Sequence, residues 1–171
     1  MEIIRVMPAQ VKVLFVCMGN ICRSPTGEGV FQYYIENAGY AGSILVDSAG
    51  TIDYHAGSPA DRRMREAASR RGYSLTSIAR QVTVADIDDF DLIVAMDLDN
   101  LMELHRLARG ARDHIRMLGA FLDGGDNATA RSVPDPYYGG PQGFEEVLDM
   151  IEQACPRMLD HCLDLLSAKN A

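Results

Sequence analysis

No stretch of this chain approaches the ~20 consecutive apolar residues that cross a bilayer. Residues 1–10, interrupted by Glu2, Arg5 and Pro8, hold too short an apolar run for the core of a secretory signal. Neither membrane insertion nor export is expected, and the expected location is cytoplasmic. Positive charge is also short: 16 lysines and arginines against 24 aspartates and glutamates leave a net charge of −8. A polyanion would be repelled at long range, so neither nucleic acid nor a membrane surface is an expected partner. Cysteine is sparse, with four in 171 residues, which suits a reducing compartment better than a secreted disulfide scaffold. Cys17, Cys22, Cys155 and Cys162 contain no C-x-x-C pair and no zinc-ligand spacing, and no metal or other cofactor is expected.

What the chain does have is enough apolar material for a core, 47% of its residues. A single domain over 1–171, with 1–10 as a short N-terminal extension, should bury roughly 70% of its extended surface without disulfide or metal. Residues 11–16 are a continuous apolar strand broken only by Lys12, as expected where both faces of a parallel sheet are covered. A helix follows from Pro25 to about Ala38, with Val30, Phe31, Tyr34, Ile35 and Ala38 on one stripe and the poor helix formers Gly27 and Gly29 near its start. Residues 44–46 make a short strand, and 51–59 a surface loop. The next helix runs from Pro59 or Ala60 to Arg71, stopped by Gly72. Its crowd of arginines reads as a solvated basic face, with a docking surface for acidic partners as the other reading. Residues 82–90 are ambiguous, 92–96 form a third strand, and Asp97 or Asp99 caps a helix to about Arg109. Residues 114–118 read as a fourth strand and 123–143 as a long polar loop. A final helix over 144–168 buries Cys155 and Cys162 as core thiols, and Pro156 should kink or split it. The expected fold is α/β, a three-layer sandwich around a short, about four-stranded parallel sheet of flavodoxin-like type. In such folds ligands sit at the carboxyl ends of the strands.

That rule draws attention to residues 13–25, VLFVCMGNICRSP: a strand, a tight loop with Gly19 and Asn20, and a helix start. Loops of this shape aim backbone N–H groups at one point beside the positive end of a helix, and so bind anions. Here Cys17 and Arg23 share the loop in a Cys-x5-Arg pattern. The bare pair is weak, since chance supplies roughly a third of such a match in a chain of this composition. Its setting between strand and helix carries the reading. Amides of the segment 18–24 and the planar fork of Arg23 would grip a dianion, and the same donors would favour a thiolate at Cys17. No Gly-x4-Gly-Lys-Ser/Thr nucleotide loop occurs, and covalent phosphoryl transfer to sulfur is the better use of these parts. A leaving group then needs a proton donor. Asp135, set between Pro134 and Pro136 and followed by Tyr137 and Tyr138, is the candidate, an Asx turn being the alternative.

The loop VLFVCMGNICRSP together with Asp135-Pro-Tyr-Tyr-Gly139 resembles the low-molecular-weight protein tyrosine phosphatases, and the likeness extends over nearly the whole chain through Asp47-Ser-Ala-Gly50, Ala79-Arg-Gln-Val82 and Met96-Asp97. The resemblance implies a phosphatase for phosphotyrosine and small aryl phosphates, working through a phosphocysteine intermediate. It implies Cys17 as nucleophile, Arg23 as phosphate ligand and Asp135 as general acid and then base. Asn20 would hold the loop in shape and Ser24 would hydrogen-bond the thiolate, while Met18, Gly19, Ile21 and Cys22 complete the phosphate loop. Tyr54 and Tyr137, with Tyr138 beside them, would flank the substrate ring. The implied partners are a phosphotyrosine-containing protein or peptide, with inorganic phosphate as product, and the implied state is a monomer or weak dimer. A reversible Cys17–Cys22 disulfide under oxidation is also implied. One departure stands out: Ser77 replaces a histidine that supports the loop asparagine in many members, so support for Asn20 is expected to be weaker or to come from Ser77 or water. The alternatives are a thiol-dependent arsenate reductase on the same fold, which needs relay cysteines absent between Cys22 and Cys155, and a silent phosphate- or phosphotyrosine-binding module.

Overall fold

A computed structural model describes residues 7–171. The first six residues of the expected N-terminal extension lie outside the described residues. The strands are β1 (Val11–Cys17), β2 (Ile44–Gly50), β3 (Leu92–Ala95) and β4 (Ile115–Met117). All pair in parallel in the order β2-β1-β3-β4. The helices are α1 (Arg23–Asn37), α2 (Arg62–Arg70), α3 (Val84–Asp89), α4 (Leu98–Leu107), α5 (Ala120–Asp123) and α6 (Pro141–Asn170).

Alternation along β1 divides the core in two. Val11, Val13, Phe15 and Cys17 face α1 and α6 together with Val30, Phe31, Ile151 and Met158. Leu14 and Val16 face α3 and α4 with Ile87, Leu101 and Leu104. Every residue of β1 except Lys12 is buried, which is why the run reads as apolar throughout. No helix among the described residues is long and apolar enough to cross a membrane.

Several boundaries differ from the sequence reading. Strand β2 continues to Gly50 because Asp47, Ser48, Ala49 and Gly50 pair with 14–17 of β1; its polar residues are in the sheet for a reason taken up below. Helix α2 starts at Arg62, not at Pro59 or Ala60: Pro59 bridges Ile78, and Asp61 caps the helix by accepting from Arg63 N at 2.8 Å. The ambiguous stretch forms α3, opened by a capping box between Thr83 and Asp86. Helix α6 runs unbroken through Pro156, contrary to a split, because that residue lies on the exposed face and water can meet the Glu152 carbonyl it leaves unpaired.

The arginines of α2 do not form a free basic face. Arg62 pairs with Glu66, Arg63 with Asp61 and Arg70 with Glu145. Arg71, just past the helix, reaches Glu145, Asp149 and Glu152 and clips this end of α2 to α6. The long loop is likewise tied down. Asn127 accepts from Met117 N at 2.8 Å and donates to Ile115 O at 3.0 Å, closing the open edge of β4, while Val133 N donates to Met96 O at 2.8 Å.

Gly27 and Gly29 have a packing reason. A Cβ on Gly27 would stand 2.5 Å from Phe15 Cδ1, and one on Gly29 2.5 Å from Leu75 Cδ2. Phe15 is fully buried with its ring edge-on to Phe31 at 5.9 Å, so it cannot swing aside. Gly27→Ala should therefore lower stability by about 1–3 kcal/mol through overpacking, outweighing the gain of ~1 kcal/mol in helix propensity. Urea unfolding reads the sign directly; a raised midpoint would mean that the Phe15 ring has room to move.

Candidate active site

Both ends of the loop between β1 and α1 are held by regular structure, and its middle by Asn20. That residue has φ 56°, the left-handed backbone that asparagine tolerates better than most side chains. It is 1% exposed, and every hydrogen-bonding position that matters is used. Nδ2 donates to Ser24 Oγ at 2.8 Å and to Ser48 Oγ at 3.0 Å, while Oδ1 accepts from Arg80 N at 3.0 Å. Support for Asn20 thus comes from Ser48 and the Arg80 backbone. Ser77 does not provide it, since its Oγ is buried without a partner among the described residues. Gly50 allows the loop to sit against β2: a Cβ there would fall 2.6 Å from Met18 O.

Cys17 ends β1 with its Sγ 3.0 Å from Ser24 Oγ, which also lies 3.2 Å from Ala49 O. Six residues on, Arg23 is 3% exposed. Its Nη1 donates to Asp97 Oδ2 at 2.6 Å and to Val133 O at 3.0 Å, and its Nη2 lies 3.6 Å from Asp135 Oδ2. Asp97 serves twice, for its Oδ1 caps α4 by accepting from Asn100 N at 2.7 Å. A guanidinium fixed on one edge presents its other edge in a set direction. Asp135 reaches the site from the long loop, its Oδ1 accepting from Tyr137 N at 3.1 Å in the Asx-type turn that was the alternative reading for it. The turn leaves Oδ2 directed at Arg23.

A cavity of about 340 Å³ is lined by Cys17, Met18, Gly19, Ile21, Cys22, Arg23, Tyr54, Asp135, Tyr137 and Tyr138, together with Ile52 and His55. Asn20 and Ser24 stand behind this lining. The rim is aromatic: ring centroids are 4.8 Å apart for Tyr54 and His55, 6.2 Å for His55 and Tyr137, and 4.9 Å for Tyr137 and Tyr138. Arg63 stacks over Tyr137 at 5.4 Å. Cys22 is a different kind of thiol, pushed far up by burial first and by Asp61, Cys17 and Asp135 after it, and stays protonated. Among the described residues no three His, Cys, Asp or Glu side chains are arranged to hold a metal ion.

Sequence reasoning found most of this lining but missed the residues that hold it. Ser48 and the Arg80 backbone were hidden because they act across the sheet, and Asp97 read only as a helix cap. The order of the strands supplies the missing signal: β1 lies between β2 and β3, so the ends of both neighbours, at Ser48–Gly50 and Met96–Asp97, must flank the loop. The arrangement sets the Cys17 thiol at the floor of one pocket, the Arg23 guanidinium in its wall and the Asp135 carboxyl at its mouth.

A family model described as low molecular weight phosphotyrosine protein phosphatase matches residues 12–169. A low molecular weight protein-tyrosine-phosphatase of Streptomyces coelicolor is 44% identical over 153 residues, covering 86% of this chain and 91% of the relative. Among solved structures, a protein tyrosine phosphatase of Entamoeba histolytica superposes with a TM-score of 0.81 at 42% identity, over 94% of this chain and 99% of that one. A structure described as a Drosophila arginine phosphatase gives a TM-score of 0.78 at 31% identity, over 88% and 97% of the two chains.

Proposed function

The chain belongs to the low molecular weight phosphotyrosine protein phosphatase family and is a phosphatase, and from that premise we propose that Cys17, Arg23 and Asp135 carry its reaction, on phosphotyrosine in proteins or peptides. The single observation behind this is their convergence on one cavity with an aromatic rim. Cys17 Sγ attacks phosphorus in line as the bond to the tyrosine oxygen breaks, and Asp135 delivers its proton to that departing oxygen. Arg23 and the loop amides hold the three equatorial oxygens, on which charge is spread in the transition state. Asp135, now a carboxylate, takes a proton from water; the water oxygen bonds to phosphorus, the S–P bond breaks, and phosphate and the Cys17 thiolate are released. The reaction proceeds in the cytoplasm.

The aromatic rim favours an aryl phosphate over the phosphoguanidine of an arginine, the substrate suggested by one structural relative's description. Tyr54 and Tyr137 give a ring two apolar faces to stack on; a guanidine can also stack on tyrosine, as Arg63 does on Tyr137, but it buries less apolar area and gives up more hydration on entry. Rapid mixing with an aryl phosphate should release a burst of phenol equal to the enzyme, and acid quenching should leave one phosphoryl group on the Cys17 peptide. A phosphoarginine peptide should turn over far more slowly than a phosphotyrosine peptide of the same sequence. A burst without a labelled Cys17 would move the nucleophile elsewhere. Faster turnover of phosphoarginine would overturn the substrate class.

A further inference from the structure

Asp61 sits where the phosphate loop meets α2. Its N–H donates to Ile21 O in the loop at 2.8 Å, and its carboxylate caps the helix. The same carboxylate grips Arg63, Oδ1 accepting from Nε at 3.1 Å and Oδ2 from Nη2 at 2.9 Å. A fork held through two nitrogens has a fixed plane. Its central carbon stands 5.4 Å from the centre of the Tyr137 ring and 4.9 Å from that of Phe144 in the first turn of α6, within the range where a cation is drawn to an aromatic face.

The backbone of Tyr137 connects this stack to the carboxyl at the mouth of the pocket. Its N–H donates to Asp135 Oδ1 at 3.1 Å, so ring and carboxyl belong to one turn. Among the described residues, the segment 134–139 makes no hydrogen bond to any other element. What holds it is the burial of Pro136, the approach of Asp135 Oδ2 to Arg23 Nη2 at 3.6 Å, too long for a hydrogen bond, and the seat of Tyr137 on Arg63. A cavity of about 240 Å³ lies between α2 and residues 139–141, with Arg63 and Phe144 in its wall. The helix therefore does not pack closely on the turn there, and the guanidinium spans the gap.

We propose that Arg63 is a positioning residue for Asp135: it seats Tyr137 at a point that Asp61 ties to the phosphate loop, and so sets the carboxyl at the oxygen that departs. The proposal rests on the reading of Asp135 as general acid. Proton transfer to the leaving oxygen requires heavy atoms about 3 Å apart. Without the guanidinium the turn keeps only Pro136 and the long contact to Arg23, and Asp135 spends less time within that reach. The hold on phosphate does not depend on Arg63, because Arg23 is fixed by Asp97 and Val133. Arg63 is itself half-exposed, so its replacement leaves the core intact.

The test measures single-turnover release of phenols of graded basicity by the parent, Arg63→Met, which keeps an apolar stem without the fork, Asp135→Asn and the double variant. Arg63→Met should slow release of the most basic phenol roughly ten- to a hundredfold and of nitrophenol least, with inorganic phosphate bound as in the parent. Beside Asp135→Asn the same substitution should cost nothing further, since residues that act through one proton transfer do not add. Asp61→Asn, which serves if the Arg63→Met protein does not fold, keeps an oxygen for the helix cap, gives up the ionic grip on Arg63 and should show the same dependence on the phenol in milder form. No loss, an equal loss for every phenol, or a loss that persists in full beside Asp135→Asn overturns the positioning role. Asp135→Asn that by itself slows every phenol equally overturns instead the general-acid reading on which the proposal rests.

Discussion

Cys17→Ser is expected to lower turnover of an aryl phosphate by at least ~10⁴-fold, as removal of a nucleophile that acts within a unit does elsewhere, while inorganic phosphate still binds. The size of the effect follows from what surrounds the sulfur. Among the described residues its one hydrogen-bond partner is Ser24 Oγ, which also accepts from Asn20. Among the described residues no carboxylate or imidazole is hydrogen-bonded to Cys17 Sγ, so a serine at position 17 has no base beside it to take its proton. A thiol needs none, because it ionises readily where donors converge, whereas a hydroxyl in the same place stays protonated and is a poor nucleophile. Phosphate affinity should survive because Arg23 is fixed from behind by Asp97 and Val133, not by Cys17. Steady-state turnover and calorimetric titration with phosphate separate the two quantities. Turnover retained within tenfold would remove Cys17 from the reaction, and joint loss of turnover and binding would show that the cysteine holds the loop together.

How far the sequence discloses this site can be traced residue by residue. Cys17 and Arg23 were legible because strand, loop and helix start are consecutive, and consecutive elements announce themselves through period and turn chemistry. Asp135 was legible through its rigid Pro-Asp-Pro-Tyr-Tyr setting, although nothing local reveals that it meets Arg23 across 112 residues of chain at 3.6 Å. The holders were not legible. Asp47 and Ser48 broke the apolar pattern and ended the strand on paper, yet in the sheet they are polar because Ser48 must reach Asn20 and Asp47 must reach Arg80. Polar residues that continue a strand past its apolar run are a local inconsistency, and such inconsistencies gather at functional sites. The serine at position 77 suggests a weaker loop; in the structure Asn20 is braced by Ser48 and the Arg80 backbone, and Ser77 takes no part.

Asp135→Asn should slow formation of the phosphoenzyme by ~10²-fold or more for a phenol-like leaving group, with phosphate affinity no weaker than in the parent. Asparagine preserves the turn, since its Oδ1 can still accept from Tyr137 N, and it replaces the carboxyl oxygen 3.6 Å from Arg23 by a neutral amide, which does not oppose an incoming dianion. It cannot supply a proton. The loss must then depend on how badly the leaving group needs one. Tyrosine, whose phenol ionises near ~10, departs slowly as the bare anion and should suffer most; nitrophenol, a far better leaving anion, should suffer least. Because the proposed mechanism has the same carboxylate activate water in the second step, steady-state turnover would mix the two defects. Single-turnover release of a series of phenols isolates the first. A rate that falls more steeply with leaving-group basicity in Asp135→Asn than in the parent identifies the proton donor, whereas an equal loss for every phenol would reduce Asp135 to the Asx turn that its hydrogen bond to Tyr137 also describes.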